Sequence, residues 1–346
     1  MTRCVMLLLL GVGALAGCRA APTGPVFPAA GPRPLWPAPP DPPRIEYLGE
    51  LRGESTLRAR RAPTLGELLT GERVETNFVT PTAVAADGDT LFVADPNAAG
   101  GPAIHRVELA ERKLATFRDA GGAPFEWPID LTLAGDILVI ADAKRGAVYL
   151  LDRAGRPQGA LGADVLKRPA SVAWDAQQRE LWVLDAGAHA CVVFDLAGGV
   201  RRTVGRRGLD PGSFNFPAGL AVAADGSAAP VAIADAMNFR VQLLARDGAP
   251  QLAFGKKGDA AGDFSLPRDV AIDRAGRLFV LDNQFENVQV FDPAGRLLMA
   301  WGEEGAGPGQ FALPAGITID AQQRVWIADT YNRRVQVFRI LAEDGA

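Results

Sequence analysis

The sequence contains few of the residues that build metal centres and disulfide frameworks. It has two histidines, His105 and His189, and three cysteines, Cys4, Cys18 and Cys191. Two histidines cannot form a three-histidine zinc site, and a disulfide-dense scaffold needs more cysteines than these. We therefore predict neither a three-histidine zinc enzyme nor a fold held together by disulfides.

A basic excess is also absent. Lys and Arg number 36 against 40 Asp and Glu, which gives a net charge of −4 and a pI near 5.4. Domains that bind nucleic acids ordinarily carry clustered positive charge, so we expect no nucleic-acid partner. Turn-forming residues are abundant instead, with 39 Gly and 26 Pro, and they predict many turns and few long helices.

The N-terminal apolar run is too short to cross a bilayer. Residues 5–15 follow Arg3 and are apolar, whereas a membrane-spanning helix needs about 20 such residues. The run suits a signal peptide and ends in Leu15-Ala16-Gly17-Cys18, which resembles the bacterial lipobox. The resemblance implies a lipoprotein signal peptide over residues 1–17 and lipid attachment at Cys18. An ordinary export signal with an incidental Cys18 is the alternative.

The chain after Cys18 is rich in proline. Ten of residues 21–44 are Pro, a composition that favours extended polyproline II and a semi-rigid spacer. We predict a lipidated tether over residues 18–43; a proline-rich docking motif is the less favoured interpretation. Arg19 stands where related lipoproteins retained at the inner membrane carry Asp. We therefore expect a lipid-anchored protein of the bacterial cell envelope, at the outer rather than the inner membrane.

Two markers repeat through the rest of the chain. A Pro that opens a short apolar run recurs every 41–50 residues, at Pro81, Pro128, Pro169, Pro217, Pro267 and Pro314. An Asp that closes an apolar strand recurs with a similar period, at Asp95, Asp142, Asp185, Asp235, Asp282 and Asp329. Six internal repeats of this length indicate a repeat architecture.

Each repeat has the pattern of four short strands. In the fifth repeat they cover residues 269–273, 277–282, 288–292 and 296–302, joined by Asp- and Gly-containing turns. The second strand is continuously apolar, which predicts burial on both faces. We predict an all-β, six-bladed β-propeller of four-stranded antiparallel blades over residues 44–346. The blades cover about 77–120, 121–163, 164–208, 209–258, 259–305 and 306–346.

Two segments lie outside this pattern. The sixth repeat lacks a fourth strand, and residues 44–53 contain a strand that precedes the first repeat. We predict that this N-terminal strand completes the last blade and closes the ring. Residues 54–76 are predicted to be an insertion with a short helix at 64–69, because Thr64 and Glu67 have the spacing of a capping box.

The repeats can be assigned to a known family. FSLPRDVAIDRAGRLFVLDNQFENVQVFD and FALPAGITIDAQQRVWIADTYNRRVQVF resemble NHL repeats of the six-bladed β-propeller class, and the resemblance covers roughly residues 44–340. It implies that proteins or small ligands are bound. A lyase of this propeller type uses three histidines, and this chain lacks them.

Most recurring polar residues have a structural interpretation. Each recurring Asp is expected to hold the turn of its own blade by accepting backbone N–H groups. Cys191 occupies a position where later repeats have Val, so it is expected to be buried. No set of residues that would act in catalysis or hold a metal or cofactor stands out.

Candidate ligand contacts are the residues that break the pattern on the face where the loops enter each first strand. Asp130, Arg268 and Asp269 follow opening prolines, where most repeats have small residues, so we predict them at the tunnel mouth as ligand contacts. A local Arg–Asp pair or a solvated rim is the alternative. Three further candidates for partner contacts on this face are Arg240, Tyr331 and Arg333.

Two function classes remain open. The sequence favours a membrane-anchored, non-catalytic envelope protein that binds an envelope protein or a small ligand. The alternative is a secreted, metal-dependent lactonase-like hydrolase or lyase with its site at the tunnel. RNA binding, known for eukaryotic proteins with this repeat, conflicts with export and with the acidic balance.

Overall fold

A computed structural model describes residues 26–27, 31–57, 75–223 and 231–341. The predicted signal peptide, Cys18 and the helix predicted at 64–69 lie outside these ranges. Within them the regular structure is almost entirely β, apart from α1 (Glu54–Leu57) and a 3-10 turn at Ala236–Asn238. A search of the described residues finds no helix with the length and apolar character that a membrane crossing requires.

The strands of the N-terminal half form two edge strands and three blades. The edge strands are β1 (Leu35–Trp36) and β2 (Ile45–Leu51). Blade 1 contains β3 (Ala83–Asp87), β4 (Thr90–Asp95), β5 (Ala103–Glu108) and β6 (Lys113–Phe117). Blade 2 contains β7 (Pro128–Ala134), β8 (Ile137–Asp142), β9 (Ala147–Asp152) and β10 (Pro157–Leu161). Blade 3 contains β11 (Pro169–Asp175), β12 (Glu180–Asp185), β13 (Ala190–Phe194) and β14 (Val200–Val204).

The C-terminal half forms the other three blades. Blade 4 contains β15 (Gly219–Val222), β16 (Val231–Asp235), β17 (Arg240–Leu244) and β18 (Pro250–Phe254). Blade 5 contains β19 (Pro267–Ile272), β20 (Leu278–Asp282), β21 (Asn287–Phe291) and β22 (Leu297–Trp301). Blade 6 takes β23 (Gly316–Ile319), β24 (Arg324–Asp329) and β25 (Arg334–Ile340) from this end of the chain. The pairings between these strands are antiparallel, and the predicted six-bladed propeller is confirmed.

The core lies between neighbouring blades. The second strands β4, β8, β12, β16, β20 and β24 are buried along nearly their whole length, as their continuous apolar sequences predict. Six clusters of apolar side chains, most of which draw on two neighbouring blades, fill the space between the sheets. The blades therefore depend on one another for burial, as expected for radial packing.

The N-terminal strand closes the ring. Strand β2 pairs with β25 in blade 6, from Ile45 opposite Ile340 to Leu51 opposite Val335. Beside this pairing, Arg334 Nη1 donates to Glu50 Oε2 over 2.6 Å. The predicted closure is confirmed: the two ends of the described chain meet in one sheet.

Blade 6 has a fifth strand that the sequence analysis did not predict. Strand β1 pairs with the outer edge of β2, with Leu35 opposite Glu46. The ring of Trp36 packs edge-on against Phe338, with 5.9 Å between the ring centroids. This part of the segment predicted as a tether over 18–43 therefore lies on the propeller, where it covers an otherwise unpaired sheet edge.

Removing the closing strand should destabilise the whole ring. Compared with a variant that starts at residue 26, a variant that starts at residue 52 loses β1 and β2 and exposes the edge of β25. Ile45, Leu48 and Leu51 are buried, and each such side chain contributes about 1.5–3 kcal/mol. We expect calorimetry to show a melting temperature lower by on the order of 10 °C. An unchanged melting temperature would contradict closure by β2.

Candidate functional site

The first strands of all six blades surround a narrow central channel. β3, β7, β11, β15, β19 and β23 line a cavity of about 140 Å³ on the propeller axis. The strands come very close where they enter this ring. A Cβ on Gly219 would lie 2.4 Å from Asp269 Cα, and a Cβ on Gly316 would lie 2.5 Å from the carbonyl oxygen of Thr82. Each entry position therefore requires a glycine, a small residue, or a side chain that hydrogen-bonds to the next blade.

Asp130 and Asp269 occupy equivalent entry positions, two residues after their opening prolines. Asp130 Oδ2 accepts the N–H of Val172 in blade 3 over 2.9 Å, and Asp269 Oδ2 accepts the N–H of Ile317 in blade 6 over 2.8 Å. Each inner strand faces the channel with an edge that has no strand partner, so these carboxylates satisfy backbone groups of the next blade. Both predicted site residues thus have a structural role.

The two channel carboxylates are electrostatically linked. Burial raises the pKa of Asp130 and raises that of Asp269 well above the ordinary value of 3.8, and repulsion from Asp130 adds to the effect on Asp269. The nearby guanidinium of Arg268 opposes both shifts. The structure therefore brings all three residues predicted at the tunnel mouth into one interacting group.

Arg268 does not pair directly with either carboxylate. Across the described parts of the chain its guanidinium forms no hydrogen bond and no ion pair within 4.0 Å. Burial lowers the pKa of Arg268, while the charges of Asp269 and Asp130 raise it. The alternative of a local Arg–Asp ion pair is not what the geometry shows, because the carboxylates are occupied by backbone N–H groups.

A pocket of about 570 Å³ lies over the channel, across blades 2 to 5. Its hollow is made by small residues beside the opening prolines and in the loops between second and third strands, namely Ala143, Ala170, Ala186, Ala218 and Ala236. Its larger side chains include two aromatic and three cationic ones, namely Trp127, Phe216, Lys144, Arg168 and Arg268. No acidic side chain belongs to the described lining. The pocket is therefore positively charged with apolar walls.

Phe216 is held in an unusual conformation at the pocket wall. It has a φ of 44°, which non-glycine residues seldom adopt, yet its side chain is 40% exposed. Its N–H donates to His189 Nδ1 over 3.0 Å, and the two rings lie 4.5 Å apart. Burial, with help from Arg207 and Arg168, lowers the pKa of His189 and so favours the neutral, accepting imidazole.

Trp127 and Lys144 are positioned by one of the recurring aspartates. Asp142 Oδ1 accepts the N–H of Trp127 over 3.0 Å and that of Lys144 over 3.2 Å. The Lys144 ammonium then lies 4.7 Å from the centre of the Trp127 ring, a cation–π distance. Equivalent bonds to the entry loops come from Asp95, Asp185, Asp235, Asp282 and Asp329. The predicted structural role of these aspartates is confirmed.

The other predicted contacts do not join this pocket. Arg240 is 15% exposed in its side chain and is committed internally, to Asp235 Oδ2 and to carbonyl oxygens of the loop that enters blade 4. Tyr331 and Arg333 are exposed on blade 6, away from the pocket lining. Cys191 is buried, as predicted, and burial raises the pKa of its thiol.

Several pocket residues were not predicted from the sequence, where attention fell on the residues after each opening Pro. One of them, Lys144, follows the second strand of blade 2. Trp127, Arg168 and Phe216 stand directly before their prolines. The variation at this position, from Thr80 in the first repeat to Trp127 in the second, is the signal that would have found them. Positions that vary within a regular repeat are free of its packing rules.

The raised pKa of Asp269 should appear as pH-dependent stability. Its carboxyl is protonated more readily in the folded state, so the contribution of Asp269 to stability falls as pH rises from 3.8 toward the higher folded pKa. Asp269→Asn removes this titration. We expect the unfolding free energy of wild type minus that of the variant to decrease over this pH range in urea titrations.

Asp292 provides a control of opposite sign. Backbone N–H groups of its hairpin and Arg296 lower the pKa of Asp292, so the same difference for Asp292→Asn should increase as pH rises through the acid range. Parallel curves for the two variants would contradict the electrostatic description of the channel.

Sequence comparisons identify the repeat. The NHL repeat family model matches residues 311–338. NHL repeat-containing protein 3 from Homo sapiens is 33% identical over 124 residues, and its Mus musculus counterpart is 35% identical over the same length. These alignments cover 33% of this chain and 36% of each relative. The chain thus spans about a third of the length of the curated relatives it matches.

Solved structures share the fold at low sequence identity. A gluconolactonase from Xanthomonas campestris superposes with a TM-score of 0.57 at 19% identity, over 90% of this chain and 98% of that one. An auxiliary nutrient binding protein from Bacteroides thetaiotaomicron gives 0.59 at 12% identity, over 77% and 70%. Together with the repeat match and the six observed blades, these similarities lead to one conclusion: the chain is a six-bladed β-propeller that carries an NHL repeat at residues 311–338.

Proposed function

We propose that this protein is a membrane-anchored, non-catalytic binding module of the bacterial cell envelope, whose propeller binds a small ligand at the channel mouth. The observation that carries the proposal is the pocket of about 570 Å³ over blades 2 to 5. Ligand sites usually occupy about 300–1,000 Å³ and combine apolar walls with a few convergent polar groups. This pocket has both properties.

The pocket walls are held in place before any ligand arrives. Phe216 is fixed by His189, and Trp127 and Lys144 are fixed by Asp142. A preformed site does not lose conformational freedom on binding, so more of the contact energy remains as affinity. This rigidity supports a role in binding.

Anchoring is proposed from the sequence. The lipobox-like Leu15-Ala16-Gly17-Cys18 supports lipid attachment at Cys18, and Arg19 favours the outer membrane. Strand β1 pairs with β2 in blade 6 from residue 35, so a lipid on Cys18 would be connected to the propeller through this blade.

A lactonase-like hydrolase remains the second candidate. It is favoured by the overall similarity to the gluconolactonase and by two carboxylates in the channel. However, Asp130 and Asp269 are bonded to backbone N–H groups. Within the described ranges, no three His, Cys, Asp or Glu side chains come together as a metal site requires. We propose binding first because the pocket over blades 2 to 5 supports it directly.

The proposed site is tested by filling it. Ala218→Trp places an indole in the hollow, beside the opening Pro of blade 4. Small molecules extracted from the native envelope should raise the melting temperature of wild type but not that of Ala218→Trp. Ala315→Trp is the matched control, since Ala315 follows the opening Pro of blade 6 and lies outside the pocket lining.

Two results would overturn the binding proposal. One is stabilisation by the extract that survives Ala218→Trp, and the other is the lack of stabilisation by any fraction. Elemental analysis of the purified protein separates the second candidate: one calcium or zinc ion per chain, together with lactone hydrolysis, would favour the hydrolase.

Anchoring is tested by Cys18→Ser. Without its thiol, residue 18 cannot carry the thioether-linked lipid. We therefore expect mass spectrometry to find diacylglycerol on wild type and none on the variant. A wild-type protein without lipid mass at Cys18 would contradict the lipid anchor.

A further inference from the structure

Three cationic side chains converge on the pocket without acidic partners. Lys144 comes from blade 2, Arg168 from the entry of blade 3, and Arg268 from the entry of blade 5. None of the three forms an ion pair with the described part of the chain. Elsewhere on this protein cations are commonly paired, as Arg246 is with Asp175 and Arg277 with Asp273. The pocket lining therefore concentrates positive charge that no acidic side chain neutralises by direct contact.

The two outer cations lie on the aromatic walls. The Lys144 ammonium is 4.7 Å from the Trp127 ring centre, and the Arg168 guanidinium carbon is 5.6 Å from the Phe216 ring centre. Cation–π contact stabilises each charge without neutralising it. Each aromatic surface therefore has a positive charge beside it, so an apolar group on the ring would lie within reach of a cation.

Arg268 lies at the inner side of the pocket. It lines the pocket, while Asp130 and Asp269, with which it interacts at longer range, line the channel below. An arginine guanidinium presents a planar fork of donors that matches a carboxylate. Because the guanidinium has no hydrogen-bond acceptor within the described residues, these donors are available to a ligand.

The channel carboxylates limit how deep an anion can go. Any negative charge on Asp130 or Asp269 repels an anion that moves below Arg268. The channel cavity of about 140 Å³ is also much smaller than the pocket above it. Charge and size together place the favourable position for an anion at the mouth.

Resting on the proposed binding function, we infer that the pocket takes a small organic carboxylate with a flat apolar body. The carboxylate pairs with Arg268, and the body packs on Trp127 and Phe216. Lys144 and Arg168 add attraction at longer range and exclude cationic ligands. A neutral compound of the same shape keeps the packing but loses the charged hydrogen bonds, so charge determines which compounds bind tightly.

A pair of probes that differ in charge alone tests this inference. Naphthalene-1-acetate and naphthalene-1-acetamide have the same ring and nearly the same shape. In titration calorimetry with the full-length protein in detergent, we expect the carboxylate to bind at least about tenfold more tightly than the amide, because hydrogen bonds to charged groups are the stronger ones.

Two variants test whether Arg268 causes the preference for the carboxylate probe over the amide probe. Arg268→Gln should abolish it by weakening carboxylate binding while leaving amide binding nearly unchanged. Arg156→Gln removes one positive charge from an exposed hairpin of blade 2 outside the pocket. It should leave the preference intact, which separates the effect of Arg268 from that of net charge.

The anion inference is overturned by equal binding of the two probes, by no measurable binding of either, or by a preference that survives Arg268→Gln. Such results are distinguishable from failure of the proposed function. Extract-dependent stabilisation that Ala218→Trp removes would still establish the pocket as a binding site, for a ligand of another charge.

Discussion

The crowding of six first strands around one axis is the constraint on which the rest of the structure depends. Each of these strands faces the channel with an unpaired edge, and its backbone groups need partners that no further strand can supply. Asp130, Ser171 and Asp269 meet this need by accepting an N–H of the next blade. At Gly219 and Gly316 the same crowding acts on side chains, since the neighbouring backbone leaves no space for a Cβ there.

This arrangement explains why the mouth of the channel can vary. Close approach between the blades determines which residues fit inside the ring. The residues on either side of each opening Pro lie above the ring, so this constraint does not apply to them. Alanines there in blades 3 and 4 leave a hollow, while Trp127 and Arg268 stand at its sides. The recurring aspartates hold the loops that carry these side chains, so a rigid scaffold presents a variable site.

The sequence alone predicted the blades well, because every blade repeats one burial pattern and has an Asp at the end of its second strand that accepts backbone N–H groups. It also predicted the closing strand, since the last repeat was one strand short. The pairing of β1 could not be predicted, because proline-rich composition indicates an extended chain and not where that chain packs. The internal bonds of Arg240 could not be predicted for a related reason: an arginine after an Asp-closed loop can either face solvent or, as here, bond to its own loop.

For the site, sequence position placed Asp130, Arg268 and Asp269 together, as the structure does, but the pocket beside them arises from residues of four blades that no local pattern connects.

A crystal structure of the protein purified from its native source tests the central claim most directly. We expect density for a small molecule on Trp127 and Phe216, with its acid group within hydrogen-bond distance of Arg268. A metal ion bound by the channel carboxylates, or a ligand seated elsewhere with the pocket holding water, would contradict it.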